Sequence, residues 1–116
     1  MKQQDFIIDK KTTKIYELKF KNKDTGLAED ITDWTVYYMA KVNMEDLDAN
    51  AVITKTVTSF SQATEGIALI TLEPTDTDID AGNYYYEIAC KDDDAQETVL
   101  FQGKLKIKEV VIKAKG

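Results

Sequence analysis

The sequence predicts an all-β protein built as a sandwich of about seven antiparallel strands. Three observations predict it. Apolar and polar residues alternate with a period of two in several segments, turn residues separate these segments at short intervals, and no segment keeps a helical period. The chain of 116 residues has the length of one domain, so residues 1–116 are expected to form a single sandwich.

Seven segments are predicted as strands. In chain order they are 6–8, 13–21, 34–42, 52–58, 67–72, 84–90 and 98–108. The fifth segment is apolar in both phases, which predicts a strand covered, at least partly, on both faces. Trp34 is predicted to begin its strand and to place its ring in the core. Val110 and Ile112 lie out of phase with the last strand, so a β-bulge is predicted near Glu109.

The turn before the sixth strand has the spacing of a tyrosine corner. Asp80, Gly82 and Tyr84 fit the pattern D-x-G-x-Y, in which a buried tyrosine hydroxyl donates a hydrogen bond to the backbone a few residues upstream. This motif lies where the chain crosses between two sheets, so the predicted sandwich is immunoglobulin-like. Cys90 is the single cysteine, which rules out a disulfide within the chain, and its apolar phase predicts a core position.

Composition argues against several classes of function. The net charge of −6 argues against binding nucleic acid or an anionic membrane through a broad basic surface. The chain has no histidine, which excludes Ser-His-Asp and Cys-His catalysis, and its five glycines form no phosphate-binding loop. We therefore predict that the protein is not an enzyme and has no cofactor. No run resembles a signal peptide or a membrane span, so neither is expected.

Two acidic runs are candidates for a metal site. Asp76, Asp78 and Asp80 alternate along the turn before the sixth strand, and residues 92–94 are three consecutive aspartates at a hairpin tip. Calcium takes six to eight oxygen ligands, but neither run has the ligand spacing of an EF-hand. Aspartate is common in turns because it hydrogen-bonds the local backbone. We interpret both runs as solvated turns and predict no metal site.

Three residues are predicted to form an interaction surface. Tyr37, Met39 and Tyr85 fall on the outward phase of their strands and are expected side by side on one sheet. Exposed aromatic residues and methionine are enriched at protein interfaces. The alternative is that loops or the N-terminal segment cover them.

Three stretches of the chain resemble a known family. They are Leu72-Glu73-Pro74-Thr75-Asp76-Thr77 with Ile79, Gly82, Tyr84, Tyr86 and Ile88; Asp24-Thr25-Gly26 with Asp30-Ile31-Thr32-Asp33-Trp34; and Phe101-Gln102-Gly103-Lys104-Leu105-Lys106-Ile107. Together they resemble bacteriophage tail and baseplate proteins, above all the immunoglobulin-like N-terminal domain of phage baseplate upper proteins. The chain departs from that pattern in having Glu73 before Pro74. It also has Asp33 where the family often has glycine.

This resemblance implies a structural component of a phage or prophage virion, in the tail, baseplate or head. The expected partners are other virion proteins or further copies of the chain, with no nucleic acid and no membrane. The expected location is the virion, after synthesis in the cytoplasm of a host bacterium. The alternative is a surface-displayed module that binds a carbohydrate or another ligand, with Tyr37 and Tyr85 as its aromatic platform.

Overall fold

Eight strand segments form two facing sheets. They are β1 (Lys2–Gln3), β2 (Phe6–Asp9), β3 (Lys14–Lys19), β4 (Thr35–Lys41), β5 (Ile53–Val57), β6 (Ile67–Leu72), β7 (Gly82–Lys91) and β8 (Glu97–Lys108). Two 3₁₀ turns, Asp48–Asn50 and Ala63–Glu65, complete the regular structure of residues 2–110, the part of the chain that this computed structural model describes. No helix in this part is long and apolar enough to cross a membrane.

The larger sheet has the strand order β1–β8–β7–β4–β5, and β2 lies beside β8 on the same edge as β1. The smaller sheet contains β3 and β6. Counting β1 and β2 as one edge position gives seven strand positions in an immunoglobulin-like β-sandwich. The expectation of purely antiparallel pairing was wrong at one edge, because β1 and β2 run parallel to β8. Strands this far apart in the chain are not joined by a hairpin, so the connection does not impose antiparallel pairing.

The core lies between the sheets and follows the predicted alternation. Every second residue of the central strands is buried: Val36, Tyr38 and Ala40 on β4, Tyr84, Tyr86, Ile88 and Cys90 on β7, and Leu105 and Ile107 on β8. The smaller sheet contributes Tyr16 and Leu18 from β3 and Ala68, Ile70 and Leu72 from β6. Cys90 is free, so these buried side chains hold the sheets together without a disulfide.

The outer face of the smaller sheet is only partly covered. Ile67 and Thr71 on β6 are half-buried, which agrees with the prediction of at least partial cover, but Leu69 is 43% exposed and Ile15 on β3 is 55% exposed. The run of apolar residues in β6 does not mark a central strand, since the smaller sheet has two strands in the described part of the chain.

The β-bulge lies at the start of β8 and not near Glu109, where it was predicted. Ile88 is opposite Phe101 and Ala89 is opposite Val99, which leaves Leu100 as the extra residue. β8 ends at Lys108, immediately before Glu109. The change of phase at Val110 therefore marks the end of the strand and not a bulge. Ile112 lies outside the described residues.

Trp34 precedes β4 and is only half-buried, so the prediction that it begins the strand was wrong. Its backbone N–H donates a hydrogen bond to the carbonyl of Ile31 at 3.0 Å, which forms a turn before the strand. The indole ring packs edge-on against Phe20 at the margin of the core, with 5.2 Å between centroids. The fully buried side chain of this connector is Ile31.

Three tyrosines connect the two sheets at the centre of the core. The hydroxyl oxygens of Tyr16 on β3 and Tyr38 on β4 lie 3.3 Å apart, and the Tyr38 ring stacks on Tyr86 with 5.8 Å between centroids. Tyr86 follows Tyr84 by two residues. In antibody domains that position holds the second cysteine of the disulfide that joins the sheets. Here, packed aromatic rings occupy the position of a covalent link.

The connection from β6 to β7 crosses between the sheets and is fixed at both ends. At its far end the Tyr84 hydroxyl donates a hydrogen bond of 2.6 Å to the carbonyl of Asp80, the contact that defines a tyrosine corner. Gly82 has φ 153°, a conformation that other residues rarely adopt.

At the near end of this connection, Thr77 is fully buried. Its Oγ1 donates a hydrogen bond to the Thr12 carbonyl at 2.7 Å and accepts one from the Thr12 N–H at 3.0 Å. A threonine hydroxyl thus replaces a strand partner for the backbone of Thr12.

Replacing Tyr84 with phenylalanine should destabilise the protein by about 1–3 kcal/mol, because the Asp80 carbonyl loses its donor in a partly buried site. Urea unfolding followed by far-ultraviolet circular dichroism measures this. Tyr85→Phe is the matched control, since Tyr85 is the next residue along the chain and its ring points away from the core. If the two variants unfold at the same urea concentration, the corner bond contributes nothing to stability.

Alkaline pH should unfold the protein through its buried tyrosines. Burial raises the pKa of Tyr86 to about 12 and also raises the pKa values of Tyr16 and Tyr38 above the ordinary 10.0. The unfolded chain therefore loses these protons first, so stability is retained below pH 10 and falls between pH 10 and about 12. Urea midpoints measured across this range test it. Tyr16→Phe should fall less steeply with pH, since one titrating group is gone, and an equally steep fall would contradict the assignment.

Candidate functional site

The three residues predicted as an interaction surface lie on the outer face of the larger sheet. Tyr37 on β4 is opposite Ala89, Met39 is opposite Glu87, and Lys41 is opposite Tyr85. Tyr37 and Met39 are half-buried, and Tyr85 is 37% exposed.

Tyr37 and Tyr85 are not neighbours. Tyr85 lies four residues along β7 from Ala89, the partner of Tyr37, which is ~13 Å at the usual rise per residue. Met39 and Glu87 form the row between them. The three predicted residues thus form a diagonal line across two strands, with methionine at its centre, and the two rings do not form one continuous platform.

A wide, shallow groove of about 1010 Å³ crosses this face of the sheet. Strands β4, β7 and β8 form its floor, and the segment that follows β4 borders it. The side chains that contribute beyond the predicted three include Lys41, Met44, Asp48, Glu87, Val99 and Gln102. The apolar side chains of Met39, Met44 and Val99 share the groove with tyrosines and with charged residues. Tyrosine and methionine are enriched at protein-binding surfaces.

Two polar pairs fix the margins of the groove. Lys41 Nζ lies 2.7 Å from the Asp48 carboxylate and donates a further hydrogen bond to the Asp46 carbonyl at 2.9 Å. These contacts hold the 43–50 segment beside β4. On the other side, Gln102 Nε2 donates a hydrogen bond to Glu87 Oε1 at 2.8 Å. Contacts within the chain therefore hold both margins of the groove in place.

Sequence reasoning missed most of these additional residues. Met44 and Asp48 follow no strand periodicity in the sequence, and only tertiary structure brings their segment against Lys41. The bulge at Leu100 shifts the phase of β8 and places Val99 across from Ala89, on the outer face. The pairing of Glu87 with Gln102 also depends on this bulge, because counting from the β7–β8 turn without it would place Glu87 opposite Phe101.

The two acidic runs differ in geometry. Asp76 forms an ion pair of 2.7 Å with Lys55 and accepts a hydrogen bond from the Glu73 N–H, and the pKa of its carboxyl is lowered, although desolvation opposes this shift. Asp78 lies 4.0 Å from Lys10. The carboxylates of Asp76 and Asp78 are therefore directed at different lysines rather than at a common point.

Asp92, Asp93 and Asp94 bring one carboxylate oxygen each to within 4.8 Å of one another. Asp92 Oδ1 already accepts hydrogen bonds from the N–H groups of Asp94 and Gln96, at 3.0 and 2.9 Å. This is the local backbone bonding that favours aspartate in turns.

No family model matches the chain, and no curated protein matches it. Among solved structures, the chain is similar to the soluble domain of PmoD from Methylocystis sp. ATCC 49242 (Rockwell), with a TM-score of 0.51 and 12% sequence identity. The similarity covers 88% of this chain and 77% of that one. At this level of identity the comparison supports the β-sandwich fold alone.

Calcium should leave the melting temperature unchanged, because Asp92 already uses one carboxylate oxygen to close its turn. Differential scanning fluorimetry with added calcium and with a chelator tests this. A rise of several degrees with calcium, lost in Asp93→Asn, would instead show that the three carboxylates bind the ion.

Proposed function

We propose that the protein is a non-enzymatic structural component of a phage or prophage virion, in the tail, baseplate or head. It acts by binding other virion proteins through the groove on the outer face of the larger sheet. Its location is then the virion, after synthesis in a bacterial cytoplasm, and its partners are proteins rather than nucleic acid or membrane.

The observation that supports a binding role is the composition of the groove. Tyr37, Met39 and Tyr85 lie on a sheet face that the rest of residues 2–110 leaves partly open, although apolar side chains on a sheet usually face a core. Large aromatic side chains supply much of the binding energy at protein interfaces. The virion assignment is supported by the residue pattern from Leu72 to Ile88, which resembles that of tail and baseplate proteins.

The geometry favours a protein partner over a sugar. A sugar ring stacks on a flat aromatic surface with polar groups beside it, whereas Met39 and Glu87 separate the two tyrosine rings. A methionine-centred diagonal is better suited to apolar side chains of a protein partner, because the flexible thioether adapts to irregular shapes.

The virion assignment is tested by purifying phage particles from a bacterial host that expresses the tagged protein. The protein should sediment with assembled particles, and the double variant Tyr37→Ala with Tyr85→Ala should lose incorporation by about tenfold or more, since truncating a central aromatic often costs 2 kcal/mol or more. The matched control is Ile7→Ala with Leu27→Ala. It removes two exposed apolar side chains outside the groove, so incorporation should be retained.

Two outcomes would contradict the proposal. The protein could be absent from particles whose other components are all present. Alternatively, a sugar could shift its tyrosine fluorescence with the shift lost in the groove variant, which would favour the carbohydrate-binding module.

A further inference from the structure

Strand β3 has an unpaired edge. It pairs with β6 on one side, and Phe20, just beyond its end, donates its N–H to the Gly66 carbonyl at 2.8 Å. Because antiparallel residues alternate between bonding their partner and facing away, the even-numbered residues of β3 bond β6. Ile15, Glu17 and Lys19 therefore direct their N–H and C=O groups to the other side, where no strand of residues 2–110 pairs with them.

This edge is also sterically open. The side chains of Ile15, Glu17, Lys19 and Lys21 are all exposed. The segment that returns after the 22–27 turn does not cover the edge, because the Glu29 N–H donates to the Phe20 carbonyl on the β6 side. An open row of backbone groups is a template for another strand.

Glu17 and Lys19 form an exposed ion pair of 3.5 Å within one chain, and the same two charges suit a second copy of the strand, in which each would find its partner across the contact. In an antiparallel pair related by a two-fold axis through Leu18, Glu17 of each copy is directly opposite Lys19 of the other. Ile15 is then opposite Lys21, whose aliphatic stem covers it. The four residues whose backbone groups point away from β6 are 15, 17, 19 and 21. All four are paired in this register, which forms up to about eight backbone hydrogen bonds.

The neighbouring registers are disfavoured by like charges. An axis through residue 17 places Glu17 opposite itself. An axis through residue 19 pairs Glu17 with Lys21 but places Lys19 opposite itself, so of these registers only the one centred on Leu18 has no like-charge contact. Directly opposite like charges destabilise a strand pair, whereas opposite charges stabilise it. A single register therefore combines favourable charges with full use of the edge.

The unpaired edge of the larger sheet at β5 lacks this complementarity. Strand β5 has one charged side chain, Lys55, and that group is bound to Asp76. A two-fold pair along β5 would gain no opposite-charge contact.

We propose that two copies of the chain associate through β3, antiparallel and centred on Leu18, to form a continuous four-stranded sheet of β6–β3–β3–β6. The contact is made by main-chain hydrogen bonds, and its register is selected by two symmetric Glu17–Lys19 pairs. It lies on the smaller sheet, apart from the groove of the proposed function.

Analytical ultracentrifugation of charge variants tests the register. The wild type should form a concentration-dependent dimer. Glu17→Lys and Lys19→Glu should each weaken it by about tenfold to a hundredfold, because each turns two attractive pairs into two repulsive ones. The double variant Glu17→Lys with Lys19→Glu should restore the dimer. An equimolar mixture of the two single variants should form heterodimers, since positions 17 and 19 are then both cationic in one chain and both anionic in the other.

A backbone variant separates pairing from side-chain charge. Glu17→Pro removes an N–H that β6 does not use, so it should abolish the dimer while the isolated chain keeps its circular dichroism spectrum. Tyr37→Ala with Tyr85→Ala should leave the dimer intact, which distinguishes this contact from the groove. A wild type that is monomeric at all accessible concentrations, or single-charge variants that dimerise as the wild type does, would overturn the proposal.

Discussion

The contact between Tyr16, Tyr38 and Tyr86 is the interaction on which the sandwich depends. Two sheets without a covalent link must be held by packing, and these rings meet where an antibody domain has its disulfide. Buried hydroxyl groups carry a cost unless they find partners. Here Tyr16 and Tyr38 bond each other and Tyr86 bonds the Gln4 carbonyl, so three polar groups enter the core with their hydrogen bonds satisfied.

Tyr86 also links the core to the edge of the sheet. By bonding Gln4 it fixes the N-terminal segment beside β8, at a point where only glycine fits. A Cβ added to Gly103 would lie 2.0 Å from the Gln4 carbonyl oxygen. Asp5 then accepts a hydrogen bond from the Lys104 N–H. The first two strands are thus paired with β8 of the larger sheet and not with β3 of the smaller one.

The fold could be predicted from sequence largely because its signals are local. Alternation identifies the strands, and the D-x-G-x-Y spacing predicts the corner at Tyr84. The predictions that were wrong depended on tertiary context. The bulge at Leu100 depends on the register of the opposite strand, and the parallel pairing of β1 and β2 with β8 depends on contacts between distant parts of the chain. Ile31 and Thr77 were missed as buried residues because each stands alone in a polar connector.

Less of the candidate groove than of the fold could be predicted from the sequence. Three of its residues could be predicted because they share the outward phase of two strands. Their spacing could not, since it requires the pairing of β4 with β7. The remaining groove residues depend on a loop held by Lys41 and on the shifted phase of β8. Neither feature has a periodic signature in the sequence.

The two proposed contact surfaces lie on different sheets, and this separation has a structural consequence. A two-fold pair through β3 leaves the outer face of each larger sheet open, so each dimer would carry two equivalent grooves. Two linked sites bind a repeated partner far more tightly than one whenever their spacing matches the repeat. In a closed two-fold dimer the β3 edges of both copies are paired with each other. No further strand can then add at β3 to form a fibre. A small acidic sandwich with this arrangement is suited to an ordered protein assembly, in which each contact joins a fixed number of copies and does not propagate.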